Sequence, residues 1–178
     1  MTGPDHTTRA LAQQVADVLD GRRIATAESC TAGAIAQALA TAAGASEFLL
    51  GGVVAYHRDV KYDVLDVPRG PIVNHRTARA MARGVARLLA ADVTVAVTGA
   101  AGPDGLDGAQ VGTVFIGFSV DGIEDTVEHR FAGDPEAVTE AATLAALRGL
   151  IERLGRDVAQ PVEPAAVESI RSTSSSPT

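Results

Sequence analysis

The chain has 178 residues, 46% of them hydrophobic, and 15 basic against 22 acidic side chains give a formal charge of −7 at pH 7. So much apolar material excludes a chain disordered throughout and suits one domain with a sizeable core. Acidity, two Tyr, four Phe and no Trp argue against a nucleic-acid partner, whose recognition needs basic surface and stacking aromatics.

Thr7 to Asp20 sets Leu11, Val15, Val18 and Leu19 at helical spacing, and Gly21 stops the helix. Ile24 to Ala27 reads as a short buried strand. Ala32 to Ala43, rich in strong helix formers, reads as a helix closed by Gly44. Phe48 to Tyr56 (FLLGGVVAY) is a strand whose glycine pair lets backbone approach something closely. Asp59 to Leu65 allows one or two helical turns. Asn74 then caps a helix to about Ala91, with Ala78, Met81, Val85 and Leu88 along its apolar stripe.

Val93 to Val97 is a β-branched strand, followed by a glycine-rich loop from Thr98 to Gly112. Val111 to Val120 and Gly122 to Phe131 pair as a hairpin across Asp121-Gly122. Asp134-Pro135 opens a last helix to about Leu154. From Arg156 onward Pro, Ser, Thr and Glu dominate, so a folded domain over 1–155 and a disordered tail over 156–178 are expected. The order α-β-α-β-α-β-β-β-α predicts a three-layer α/β/α fold with a mixed sheet, because a hairpin contributes antiparallel strands.

A lone Cys30 excludes an intrachain disulfide and cannot by itself build a zinc site. His6, His57, His75 and His129 are scattered without ligand spacing, so no metal is expected, nor any cofactor. Met1 to Gln14 lacks a basic-then-apolar signal pattern, and no stretch approaches the roughly 20 apolar residues of a membrane span. A cytoplasmic protein without a membrane partner is the expectation.

Three clusters carry candidate chemistry. In Thr26-Ala-Glu-Ser-Cys-Thr-Ala-Gly33 a strand passes into a helix, setting Ser29, Cys30 and Thr31 near the first free N–H groups. Such a position favours a phosphate or a developing oxyanion. Ser29 or Thr31 acting simply as an N-cap fits the same pattern.

The second cluster holds Tyr56 and, five residues on, Lys61. Fourteen of the 15 basic residues are arginine and this one is lysine. A serine nucleophile needs a proton acceptor; burial and nearby positive charge can tune lysine to that task, whereas arginine stays protonated. A chance survivor on the surface is the competing reading. Cys30 with His57 forms a rival thiol dyad. The third cluster, Val97-Thr-Gly-Ala-Ala-Gly-Pro-Asp-Gly105, lacks both the G-x-G-x-x-G and the G-x-x-x-x-G-K-[ST] spacing, leaving a tight ligand-lining loop.

In this order, AESCTAG (27–33), GGVVAYHRDVK (51–61), TGAAGPDG (98–105) and VGTV (111–114) resemble the C-terminal domain of the competence/damage-inducible CinA family, over about residues 7 to 155. Stand-alone members of that family include nicotinamide-mononucleotide (NMN) amidohydrolases. The resemblance implies a metal-independent hydrolase that converts the NMN carboxamide to the acid and ammonia. The family's nucleophilic serine falls on Ser29, its catalytic lysine on Lys61 and its assisting tyrosine on Tyr56. Contacts to a small nucleotide substrate are expected from Cys30, Thr31, Gly33, Gly52, Arg58, Thr98, Gly99, Ala100 and Gly102, and a homodimer is the expected assembly.

The chain departs from the family pattern in places. Ala32 replaces the second glycine of ESCTGG, His57-Arg58 replaces Ser-Asn, and Ala109-Gln110 replaces Lys-Pro. Pro135 and Thr139 stand where arginines are familiar, which removes positive charge that an anionic ligand would use. Arg58 is a candidate to compensate.

Overall fold

A computed structural model describes residues 5–102 and 104–158. The expected tail lies outside the described residues from position 159 on.

Helix α1 (His6–Val18) starts at Asp5, whose carboxylate accepts the Thr8 N–H at 2.7 Å. The chain continues through β1 (Ile24–Glu28), α2 (Ala34–Leu39), α3 (Ala45–Phe48), β2 (Leu49–Val54), α4 (Arg58–Leu65) and α5 (His75–Leu89). Then come β3 (Val93–Gly99), the hairpin β4 (Thr113–Val120) and β5 (Ile123–Arg130), and α6 (Pro135–Val158). The five strands form one sheet in the order β2-β1-β3-β4-β5. Strand β1 runs parallel to β2 and β3, and β4 antiparallel to β3 and β5. The mixed sheet is as expected.

Alternation along the strands builds a core on each face. Val93, Val95 and Val97 of β3 and Val114, Ile116 and Phe118 of β4 meet Val15 of α1, Ile35 of α2 and Leu147 of α6. Ala25 and Ala27 of β1 and Ala96 of β3 point the other way, against Leu65 of α4 and Met81 and Val85 of α5. Burying each of the larger aliphatic chains is worth roughly 1.5–3 kcal/mol. Two helical layers therefore clasp the sheet, and β1 and β3 are buried along their whole length.

Local differences from the sequence reading have physical causes. Helix α2 starts at Ala34 rather than Ala32, because Ala32 (φ 50°) and Gly33 (φ 100°) adopt left-handed backbone that no helix accommodates. The four-residue α3 replaces the expected start of β2. Strand β3 runs on to Gly99 because Gly99 pairs with Val114. Helix α6 reaches Val158, three residues past the expected boundary at 155. The hairpin turns at Asp121 (φ 49°) and Gly122 (φ 83°), the two positive angles of a type I′ turn.

Among the described residues no helix is long and apolar enough to cross a membrane.

Candidate active site

A cavity of about 230 Å³ opens where β1 and β3 end, lined by Ser29, Cys30, Tyr56, Ile72 and residues 99–102 and 104–106 of the glycine-rich loop. The strands to either side of this crevice are joined through helices on opposite faces of the sheet, the position where open α/β sheets hold ligands. The volume lies below the roughly 300–1,000 Å³ common for small-ligand sites, so it would enclose the reacting end of a ligand rather than a whole nucleotide.

Ser29 continues β1, its N–H donating to the Val97 carbonyl at 2.9 Å. Lys61, on α4, is fully buried. Its Nζ lies 2.9 Å from Ser29 Oγ, 2.5 Å from the Ala55 carbonyl and 3.2 Å from the Tyr56 carbonyl. Three acceptors satisfy an ammonium with its three N–H bonds. A neutral amine keeps two donors and turns its lone pair to the Ser29 hydroxyl. Burial lowers the Lys61 pKa from 10.5 to about 8, and the Arg58 cation pushes the same way. The competing surface reading of Lys61 is therefore excluded.

The thiol dyad gains no support. Burial pushes the Cys30 thiol up to about 11, so it stays protonated near neutrality. The His57 ring caps α4, accepting the Asp59 N–H at 3.3 Å, and lies 3.4 Å from the Asp59 carboxylate. The Cys30 and Thr31 N–H groups do favour negative charge at the Cys30 sulfur. Neither donates to a backbone carbonyl among the described residues.

Glu28 is the residue the sequence reading missed. Its buried carboxylate accepts the N–H groups of Gly33, Ile35 and Ala36 at 3.0, 3.1 and 2.9 Å, and the Thr26 hydroxyl at 3.1 Å. The start of α2 is thus already occupied by an internal anion. The expected free N–H groups there are not free, and Ser29 and Thr31 do not cap the helix. A carboxylate just ahead of a helix start is a capping signal that could have been read.

The other expected contacts divide. Gly99, Ala100 and Gly102 line the cavity, and Tyr56, a residue 71% exposed, also reaches it. Gly33 serves Glu28. Gly52 faces Thr26, whose Oγ1 would lie 2.1 Å from an added Cβ, so its missing side chain serves strand packing. Thr98 donates its hydroxyl to the Ile72 carbonyl at 2.6 Å. Thr31 is buried and its hydroxyl oxygen has no hydrogen-bond partner among the described residues. Arg58 pairs with Asp107 at 3.3 Å, and Asp107 also accepts the Ile72 N–H at 2.7 Å, tying α4, the 70–74 segment and the glycine loop together. Arg58 is not brought to the cavity wall.

Ala32 explains its own departure: the position demands positive φ, which alanine adopts at a cost of about 1 kcal/mol and glycine adopts freely. Ala32→Gly is expected to raise unfolding stability by about 0.5–1 kcal/mol in a denaturant titration.

Fold and site together define a three-layer α/β protein with a serine hydroxyl held against a buried, readily neutralised amine at the end of a parallel strand. The chain belongs to the CinA C-terminal domain family, which it matches over residues 8–154. It is 43% identical over 141 residues to a CinA-like protein of Mycolicibacterium gilvum, covering 75% of this chain and 33% of that one. It is 38% identical over 140 residues to a CinA-like protein of Geobacter sulfurreducens, covering 75% of this chain and 34% of that one. The chain therefore spans about a third of the length of these curated relatives.

Among solved structures, a CinA superfamily protein from Klebsiella pneumoniae superposes with a TM-score of 0.80 at 36% identity, over 84% of this chain and 98% of that one. A competence/damage inducible protein from Agrobacterium tumefaciens gives 0.79 at 33% identity, over 87% and 99%.

Proposed function

We propose that the chain hydrolyses the exocyclic carboxamide of NMN to nicotinic acid mononucleotide and ammonia, with Ser29 as nucleophile and Lys61 as base. The observation that carries this reading is the buried contact of 2.9 Å between Lys61 Nζ and Ser29 Oγ. Neutral Lys61 takes the Ser29 proton as Oγ bonds to the amide carbon. The oxyanion forms by the Cys30 and Thr31 N–H groups. The tetrahedral adduct then breaks its C–N bond, Lys61 returns the proton to the leaving nitrogen, and ammonia departs. Water, deprotonated by Lys61, cleaves the acyl-serine ester to the carboxylate and restores Ser29. Tyr56, which lines the cavity beside Ser29, keeps the assisting role that the family resemblance implies, relaying or orienting the Ser29 proton.

Ammonia release from NMN by the purified chain tests this. Wild type is expected to turn over, and Ser29→Ala to lose at least about a thousandfold in kcat/KM. Full activity in Ser29→Ala would sink the reading.

A second reading, an altered-substrate or non-catalytic nucleotide-binding relative, is favoured by one observation. The Thr139 hydroxyl lies 3.2 Å from the Cys30 carbonyl, and Pro135 borders Gly102. The two positions where arginines were expected therefore flank the site uncharged. Among the described lining residues Asp104 alone carries a formal charge. Saturable NMN binding without ammonia release favours this reading.

A further inference from the structure

A second concavity lies on the face covered by α4 and α5, away from Ser29. It is a cleft of about 530 Å³ between the outer side of α5 and the chain leaving α4. Gly84 forms part of its floor. The Leu65 carbonyl would lie 2.2 Å from a Cβ there, so glycine lets the α4 end press against α5. Asp66 and Pro68 contribute to the opposite wall.

Arg76, Arg79, Arg83 and Arg87 line the cleft. Their spacing of three, four and four residues sets them on one helix face over about 16 Å of axis. Their acidic partners are few. Arg83 takes Glu124 at 3.0 Å, and Arg79 reaches the same carboxylate only at 4.0 Å. Arg87 pairs with Asp66. Arg76 makes no ion pair among the described residues. Glu124 and Asp66 are the only carboxylates in ion-pair range of the row among the described residues, with Asp125 acting on Arg79 from further off, so the four guanidiniums outnumber their partners in a chain whose net charge is −7. Like charges at such spacing on one helix face repel one another and destabilise the helix where carboxylates do not fully offset them. A guanidinium row inside a concavity, with donors in fixed forks, suits the oxygens of successive phosphoryl groups.

We propose that this cleft binds a polyphosphate chain, either free or as the phosphates of a nucleoside polyphosphate. The enclosed volume and the short stripe fit a small polyanion. A nucleic-acid strand is disfavoured by the acidic remainder of the surface and by aromatic content of 3%. This site is independent of the Ser29 chemistry and stands whether or not NMN is hydrolysed.

Isothermal titration calorimetry on the full chain in 150 mM salt tests it. The titrants are sodium tripolyphosphate, adenosine triphosphate, adenosine, inorganic phosphate and a single-stranded oligonucleotide. Tripolyphosphate is expected to bind with a Kd below about 100 µM, and inorganic phosphate at least about tenfold more weakly. Adenosine triphosphate binding more tightly than tripolyphosphate assigns the nucleotide source; equal affinities assign the bare chain.

The double variant Arg79→Ala/Arg83→Ala is expected to weaken tripolyphosphate at least about tenfold. Arg76→Ala, which breaks no ion pair among the described residues, serves as the variant whose folding is undisturbed and is expected to lose at least about threefold. Arg9→Ala, on α1, should leave binding unchanged. No saturable heat up to about 1 mM tripolyphosphate, equal affinity in Arg76→Ala, or tighter binding of the oligonucleotide would overturn the proposal.

Discussion

Glu28→Ala is expected to lower the unfolding free energy by about 3–5 kcal/mol, a large part of the 5–15 kcal/mol typical of a whole domain. The buried carboxylate accepts four hydrogen bonds, three from the opening N–H groups of α2 and one from Thr26. Alanine leaves all four donors without this partner, and two of them, on Thr26 and Ile35, belong to fully buried residues. The two oxygens also place full negative charge at the positive end of a short helix. Glu28→Gln keeps the volume but turns an NH2 group toward N–H donors, so it is expected to lose about 2–3 kcal/mol. Urea titrations of the three proteins check the order. A loss under 1 kcal/mol for Glu28→Ala would mean that another group takes over the α2 N–H groups. Since the same turn carries Ser29, any folded Glu28→Ala protein should also lose activity.

The network around Glu28 also shows where legibility in the sequence ended. Strand β3 was readable because five β-branched or small apolar residues in a row have few other uses, and α5 because its stripe repeats at helical spacing under a strong Asn74 cap. Asp121-Gly122 specified its turn through two positive φ angles. The short α3 left no periodic signal. Alanine-rich sequence from Ala32 onward looks helical, yet the Glu28 cap needs the turn at 32–33 to swing back so that three N–H groups converge on one carboxylate.

At the site, Ser29 and Lys61 were legible through motif order and through a single lysine among arginines. The role of Arg58 was not, because its partner Asp107 lies 49 residues away in sequence and no local pattern links them. Gly52 illustrates the reverse error: close backbone approach was read correctly, but what approaches is Thr26 of the neighbouring strand rather than a ligand.

Activity is expected to rise with pH through a midpoint near 8, the pKa at which Lys61 gives up its proton. Burial disfavours the ammonium and the Arg58 guanidinium repels it, so the neutral base is reached well below the ordinary 10.5. At pH 7 about a tenth of the molecules carry it, and kcat/KM should fall roughly tenfold for each pH unit further down. The Cys30 thiol, pushed up to about 11, does not titrate in this window.

Lys61→Arg keeps the positive charge but has no usable neutral form, so a loss of about a thousandfold or more is expected, with no recovery up to pH 9. The pH dependence of stability gives a second readout with a fixed sign. A lysine whose pKa is lowered on folding binds fewer protons in the folded than in the unfolded state between about 8 and 10.5. Wild-type stability should therefore gain with rising pH across that interval relative to Lys61→Met, and run parallel to it below pH 8. An activity midpoint below 6, or Lys61→Arg turning over at the wild-type rate, would remove lysine from the role of base.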